Sequence, residues 1–357
     1  MRPVVPVLAS RLSRAFEARA SAYKFFWFLS LLNLIDDHED PAEDDVIAEM
    51  VVLAWAPSAL YRLSFGVLDR LQDVILDLQA WSALPGAASP ARVRAVLKAW
   101  PEGRSRLDAL ARYVPSRFLA PWLLEALAPS MREDLRTQAI VAIAADSIGL
   151  GAGPPYALKR EGRRTRVVMD PVWRAYLRDQ RSMIEVFAQM KLAAFLQSRN
   201  PHTPAIVNKL GPPNPRNLRA QRAAFEVLAL SEPLHDLYSG ERLAAFALDH
   251  VLPRSFLAHD LIWNLAPVTA ATNSSKGDSL PDLTDINALA GLHHRLMTIL
   301  GPEGRLLESY SLAFGRDVAA VRGLPLVELE GLYRAHYAPL LQIAANQGFA
   351  PWQRTGV

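Results

Sequence analysis

The sequence predicts a mainly α protein that carries a small α+β insert. Three observations predict it. From about residue 10 to 150, apolar residues recur in three- and four-residue steps, the spacing of amphipathic helices. Residues 237–281 break that rhythm and follow the order strand, loop, strand, short helix. After them, "DINALAGLHHRLMTIL" and "LVELEGLYRAHYAPLLQIAAN" return to helical spacing. The expected organisation is a helical region at 1–150, then a basic hairpin, a helix and a Pro-rich connector at 151–235. A small core at 236–285 and a C-terminal helical segment at 286–357 follow.

At 357 residues, with 51% hydrophobic and 21% charged residues, the chain can bury sizeable cores and is not of a disordered class. It has no cysteine, which excludes disulfides, thiolate zinc sites and a cysteine nucleophile, and agrees with a reducing compartment. The longest apolar stretch, "FFWFLSLLNLI" at 25–35, is too short to span a bilayer and predicts a buried helix. Arg residues interrupt the N-terminal "MRPVVPVLASRLSRAF" before an apolar signal core can form. The expectation is a soluble cytoplasmic protein with no membrane partner. A net charge of +3 is compatible with nucleic acid but does not demonstrate it.

Taken in order, "SRLSRAFEARASAYKFFWFLSLLNLI", "DDVIAEMVVLAWAPSALYRL" and "FGVLDRLQDVILDLQAWSAL" are helical, the last with Leu68, Leu71, Val74, Ile75 and Leu78 on one stripe. Pro85, Pro90, Pro101, Pro115 and Pro121 punctuate the helices that follow. The acidic run "DDHEDPAEDD" at 36–45 is either a metal site or a solvated linker, and the linker is far the commoner case. "GLGAGPP" at 149–155 lacks the strand-then-helix context of a phosphate loop and suits a domain boundary. "YALKREGRRTRVVM" predicts a hairpin turning at Glu161–Gly162, crowded with Lys159, Arg160, Arg163, Arg164 and Arg166. One helix should then run through "DPVWRAYLRDQRSMIEVFAQMKLAAFLQSR", with Asp170 as N-cap and Pro171 at its first position.

"FALDHVLPRSF", residues 246–256, places Asp249 and His250 side by side in an apolar, strand-like run. Neighbours on a strand point to opposite faces, so one of the pair faces inward at a cost. Such a pair is a local structural device or half of a metal site. Asn264 follows His250 by 14 positions, Asn273 follows Asn264 by nine, and Lys276-Gly277 closes the run.

"LYSG", "LDHVLPRSF", "WNLAPVT" and "TNSSKGDSLP" occur in an order that resembles the HNH nuclease motif of the ββα-metal superfamily, most closely the HNH domains of RNA-guided CRISPR effector nucleases. The resemblance implies a ββα-metal core between helical regions and hydrolysis of DNA by a single-metal mechanism. In it Asp249 gives a hard oxygen to a divalent metal, and the imidazole of His250 takes a proton from water near neutral pH. Asn273 completes the protein ligands, with Mg²⁺ the expected ion and Mn²⁺ a substitute. Asn264 joins the catalytic set without chemistry of its own, tying the loop that holds His250. Lys276, Arg254, Arg163, Arg164 and Arg166 are the candidate phosphate contacts. For the hairpin arginines, an ordinary solvated edge is an equal alternative.

Two departures from the motif stand out. The third signature residue is Asn273 instead of His, and the cysteine pairs that hold a structural zinc in many relatives are missing, so no structural zinc is expected. His259 and Asp260 suit a solvated turn better than a substrate contact, His235 and Asp236 a helix cap, and His293 and His294 a helix surface. "YKFFWFLSLLNLI" and "LSFG" resemble segments of bacterial HNH proteins linked to phage defence, which implies a role in defence or restriction beside a defence-system protein partner. The competing expectation is a non-catalytic nucleic-acid-binding subunit that keeps the ββα shell as a clamp.

Overall fold

The computed structural model describes residues 4–17, 21–67, 69–123, 127, 130–150, 153–301 and 305–354. The chain divides into two compact units, Met1–Pro201 with Ile206–Pro213 and His202–Ala205 with Asn214–Val357. The described residues are mostly helical, with two separate two-stranded antiparallel sheets, so the mainly α class with a small α+β insert holds.

The first unit contains α1 (Val4–Glu17), α2 (Ala22–Leu34), α3 (Glu43–Trp55), α4 (Arg70–Ser82), α5 (Pro90–Ala99), α6 (Gly103–Ala111), α7 (Val114–Leu123) and α8 (Glu133–Ser147). The hairpin β1 (Tyr156–Glu161) and β2 (Arg164–Met169), then α9 (Pro171–Asp179) and α10 (Arg181–Arg199), complete it. α2 is apolar on all sides and buries Phe25, Phe26, Trp27 and Phe28, as a helix inside a core should. Trp27 Nε1 donates to Tyr156 Oη at 2.8 Å, and that hydroxyl donates to the Pro115 carbonyl at 2.6 Å, so the hairpin root is tied into the helical core. Leu68 lies outside the described residues; Leu71, Val74, Ile75 and Leu78 form the buried stripe of α4. Among the described residues no helix is long and apolar enough to cross a membrane.

Two details differ from the sequence expectation. The hairpin pairs Glu161 with Arg164 and turns at Gly162–Arg163, because Gly162 takes a φ of 65° at the first central position of a two-residue turn. The expected single helix after Asp170 breaks at Gln180 (φ −102°, ψ 17°). The break lets Arg181 donate to the Leu32 carbonyl and pair with Asp36. The acidic run stays exposed at 36–39, as a solvated linker should, and is matched by arginines there: Asp36 also pairs with Arg178 and Glu39 with Arg174, while the Asp40 carboxylate accepts from Met169 N at 3.0 Å.

The second unit contains α11 (Arg219–Ser231), β3 (Ala247–His250), the single-turn α12 (Arg254–Leu257), β4 (Leu265–Val268), α13 (Ala270–Lys276), α14 (Leu283–Ile299), α15 (Arg305–Phe314), α16 (Val318–Arg322) and α17 (Leu326–Asn346). Its core gathers Phe225 of α11, Ile286, Leu289 and Leu296 of α14, and Tyr333 and Tyr337 of α17. β3 and β4 lie against this core, and all four β4 residues are buried. Strand, loop, strand and helix therefore follow the predicted order.

Candidate active site

β3 pairs Asp249 with Ala266 and His250 with Leu265. Adjacent strand residues face opposite ways, yet both are buried, Asp249 3% exposed and His250 5%. Each face must then satisfy its own polar group, since an unpaired buried carboxylate is costly.

Asp249 does so through two residues. Tyr238 Oη donates to Oδ2 at 2.6 Å, and Lys276 Nζ lies 3.0 Å from Oδ2 and 3.3 Å from Oδ1. The same ammonium donates to the His250 carbonyl at 2.9 Å. Burial and the neighbouring Asp249 charge hold the Tyr238 phenol well above its ordinary range, so it stays a donor. Lys276, expected at a phosphate, is 1% exposed and is spent on pinning α13 to β3.

His250 faces the loop before β4. Its Nε2 lies 2.9 Å from Asp260 Oδ1, and the same oxygen accepts from Arg254 Nε at 2.7 Å. Burial pushes the Asp260 carboxyl up, but its bonds to His250 and Arg254 and the Arg254 charge outweigh this and hold it down at about 2. Ala258, at φ 59°, ends α12 and reverses the chain so that Asp260 returns to Arg254 and His250. Arg254, the other expected phosphate contact of this unit, is thus engaged with Asp260, and Asp260 is more than a solvated turn residue.

Asn264 is fully buried. Its Oδ1 accepts from Leu252 N at 2.9 Å and its Nδ2 donates to Leu252 O at 2.8 Å, which closes the loop across the strand ends. Tyr337 Oη adds a bond to Oδ1 at 3.1 Å and another to the Trp263 carbonyl at 3.0 Å. One layer further in, His293 Nε2 donates to the Leu265 carbonyl at 2.9 Å, and Nδ1 accepts from Tyr333 Oη at 2.6 Å. Burial, only partly offset by the Leu265 carbonyl, lowers His293 to about 4, so the ring is neutral at pH 7. The helix-surface expectation for His293 is thereby corrected. The signal was present: His293 shares the stripe of Ile286, Leu289, Ala290, Leu296 and Met297, all buried.

Asn273 sits one turn into α13, on the face that carries Lys276. Among the described residues its side chain makes no hydrogen bond. Asp249 on β3 and Asn273 on α13 both carry hard oxygen donors, the kind a hard divalent cation takes. Among the described residues no group of three or more His, Cys, Asp or Glu could hold a metal, so a metal here would depend on the amide and on water.

Asp236 immediately precedes the "LYSG" turn and is 1% exposed. Its Oδ1 accepts from Tyr238 N at 2.9 Å and Ser239 N at 3.1 Å, and its Oδ2 from Thr269 N at 2.7 Å. Burial opposes the charge, yet these backbone bonds hold the carboxyl below its ordinary range. One carboxylate thereby joins the "LYSG" turn to the N-cap of α13. The sequence reasoning missed Tyr238, Asp236 and Tyr337 as supports, since turn, strand and C-terminal helix meet only in the fold.

Arg163, Arg164 and Arg166 belong to the first unit. Arg166 pairs with Glu161 at 3.2 Å and donates to the Asp40 carbonyl at 2.9 Å. Arg163 and Arg164 are at the exposed hairpin tip and make no ion pair among the described residues.

Residues 236–282 match the family model described as HNH endonuclease. The match points to nuclease activity on a nucleic acid, of a kind that generally uses a divalent metal ion. Comparison with curated proteins and with solved structures gave no match.

Proposed function

We propose that the second unit is a metal-dependent HNH endonuclease that hydrolyses DNA phosphodiester bonds. The observation that carries this reading is the separate holding of two adjacent residues: Asp249 by Tyr238 and Lys276, His250 by Asp260, inside the matched segment. A carboxylate and an imidazole kept on opposite sides of one strand can divide the work between ion and water.

In this reading His250 takes the proton of the attacking water, a contribution of roughly 10²- to 10⁴-fold. Asp249 and the Asn273 amide oxygen hold Mg²⁺ or Mn²⁺. The bound ion supplies Lewis-acid stabilisation of the leaving 3′ oxygen. Asn264 keeps the His250 loop closed, and Lys276 neutralises Asp249 and fixes α13; it reaches a phosphate only by leaving that pair. Arg163 and Arg164 are the hairpin's available phosphate contacts, with Arg166 committed locally. Cleavage in phage defence or restriction rests on the two helical segments quoted above. A non-catalytic clamp is the second reading, and the Asp249–Lys276 pair favours it, because a carboxylate already matched by a cation has less need of a metal.

Plasmid cleavage by the purified chain with Mg²⁺, Mn²⁺ or EDTA, beside His250→Ala, separates the two. Metal-dependent nicking or linearisation that the variant loses is the expected result. Plasmid binding with no cut under either ion would leave the clamp.

A further inference from the structure

We infer that Asp260 is a positioning residue that fixes His250 as the tautomer protonated on Nε2, which makes Nδ1 the nitrogen that receives the proton from water. This deepens the nuclease reading and rests on it for the direction of proton transfer. The tautomer itself follows from the bonds around the ring.

An ionised carboxylate has no hydrogen to give, so the 2.9 Å contact runs from Nε2–H to Asp260 Oδ1. Asp260 stays ionised across the working range, since its carboxyl titrates at about 2. A neutral imidazole with its hydrogen on Nε2 carries its lone pair on Nδ1. Among the described residues, Nδ1 of His250 has no hydrogen-bond partner. No described residue therefore competes with a water for that lone pair.

Asp260 is itself held by two residues. Arg254 donates Nε to Oδ1 at 2.7 Å and Nη2 to Oδ2 at 3.4 Å. Gln221 Nε2 of α11 donates to the Asp260 backbone carbonyl at 2.8 Å. The backbone of His250 is fixed as well, by its pairing with Leu265 and by Lys276 on its carbonyl. Both ends of the Asp260–His250 bond are thus anchored, as an orienting contact needs. An Asp–Arg staple that merely closed the turn would have no reason to share Oδ1 with the imidazole.

The test uses the full chain labelled with ¹⁵N in its histidines. His250 is assigned by the signals lost in His250→Ala, and its ring nitrogens are read by long-range ¹H–¹⁵N correlation at about pH 8, above the ordinary imidazole range. The expected wild-type ring carries hydrogen on Nε2 alone. Asp260→Asn, checked for folding by thermal melting, should mix the two tautomers. Its kcat for plasmid cleavage should fall by about 10²-fold, within the effect of losing a working base, with KM unchanged. Asp260→Glu should restore part of both. A wild-type ring protonated on Nδ1, or an Asp260→Asn ring still held as the Nε2 tautomer, would overturn the assignment. If the wild type cuts nothing with Mg²⁺ or Mn²⁺, the nuclease reading fails, while the ring signals still decide the tautomer.

Discussion

At the scale of single residues, the buried Lys276–Asp249 pair is the most consequential choice in the second unit. Two opposite charges with almost no solvent contact contribute little net stability, but removing one partner strands the other, at a cost of about 3–5 kcal/mol. Lys276→Met should therefore lower the melting temperature clearly in EDTA. The stranded carboxylate should then favour a cation, so Mg²⁺ should raise the melting temperature of Lys276→Met more than that of the wild type. Equal Mg²⁺ shifts in both proteins would remove Asp249 as a metal ligand. Asp260 gives a second prediction, in acid. Its carboxyl titrates at about 2 when folded against an ordinary 3.8, so its ionised form adds stability above pH 3.8. That contribution is lost as pH falls from about 4 to about 2. Urea midpoints over that interval should fall less steeply in Asp260→Asn, and parallel curves would refute it. The placement of Asp249 and His250 on a strand, of Asn264 at the end of the loop and of Asn273 on a short helix was legible in the sequence, because period and spacing are local properties. Tyr238 and Asp260 were not legible in these roles, because their partners depend on where a turn and the left-handed Ala258 aim the chain.

At the scale of elements, the helices and both strand pairs could be anticipated, since period and caps are local properties. Asp170 caps α9 by accepting from Val172 and Trp173, with Pro171 at the first position, as the sequence implied. The break at Gln180 had no local sign. It serves the contacts of Arg181 with α2 and the Asp36 loop, which are distant in sequence. Nothing local in the sequence pointed to what holds the "LYSG" turn to α13. Asp236 takes three backbone N–H groups from the "LYSG" turn and the start of α13, each of which would otherwise be left wanting an acceptor. Losing such partners costs about 1–3 kcal/mol for each group that water cannot reach. Asp236→Ala should therefore expose the amides of Tyr238, Ser239 and Thr269 to hydrogen exchange before the rest of the unit. Unchanged protection at those three amides would refute the staple.

At the scale of the whole molecule, a net charge of +3 says little, because the charges are not spread evenly. Much of the first unit's cationic surface is spent internally: Arg174, Arg178 and Arg181 on the acidic run, Arg94 on Glu49 and Arg166 on Glu161. What is left over at the hairpin tip is Arg163 and Arg164, and an unspent arginine on an exposed turn is the kind that meets phosphate. Each phosphate it neutralises releases a counterion and adds about 0.9 to the salt slope of duplex binding. The double variant Arg163→Ala/Arg164→Ala should accordingly bind plasmid DNA more weakly, with the slope of log K against log salt reduced by up to about 2. The chemistry at His250 should be untouched, so at saturating DNA the cleavage rate should match the wild type while the DNA concentration needed to saturate rises. If affinity and slope both stay at wild-type values, the hairpin is an ordinary solvated edge, and DNA contact must be sought on the second unit alone.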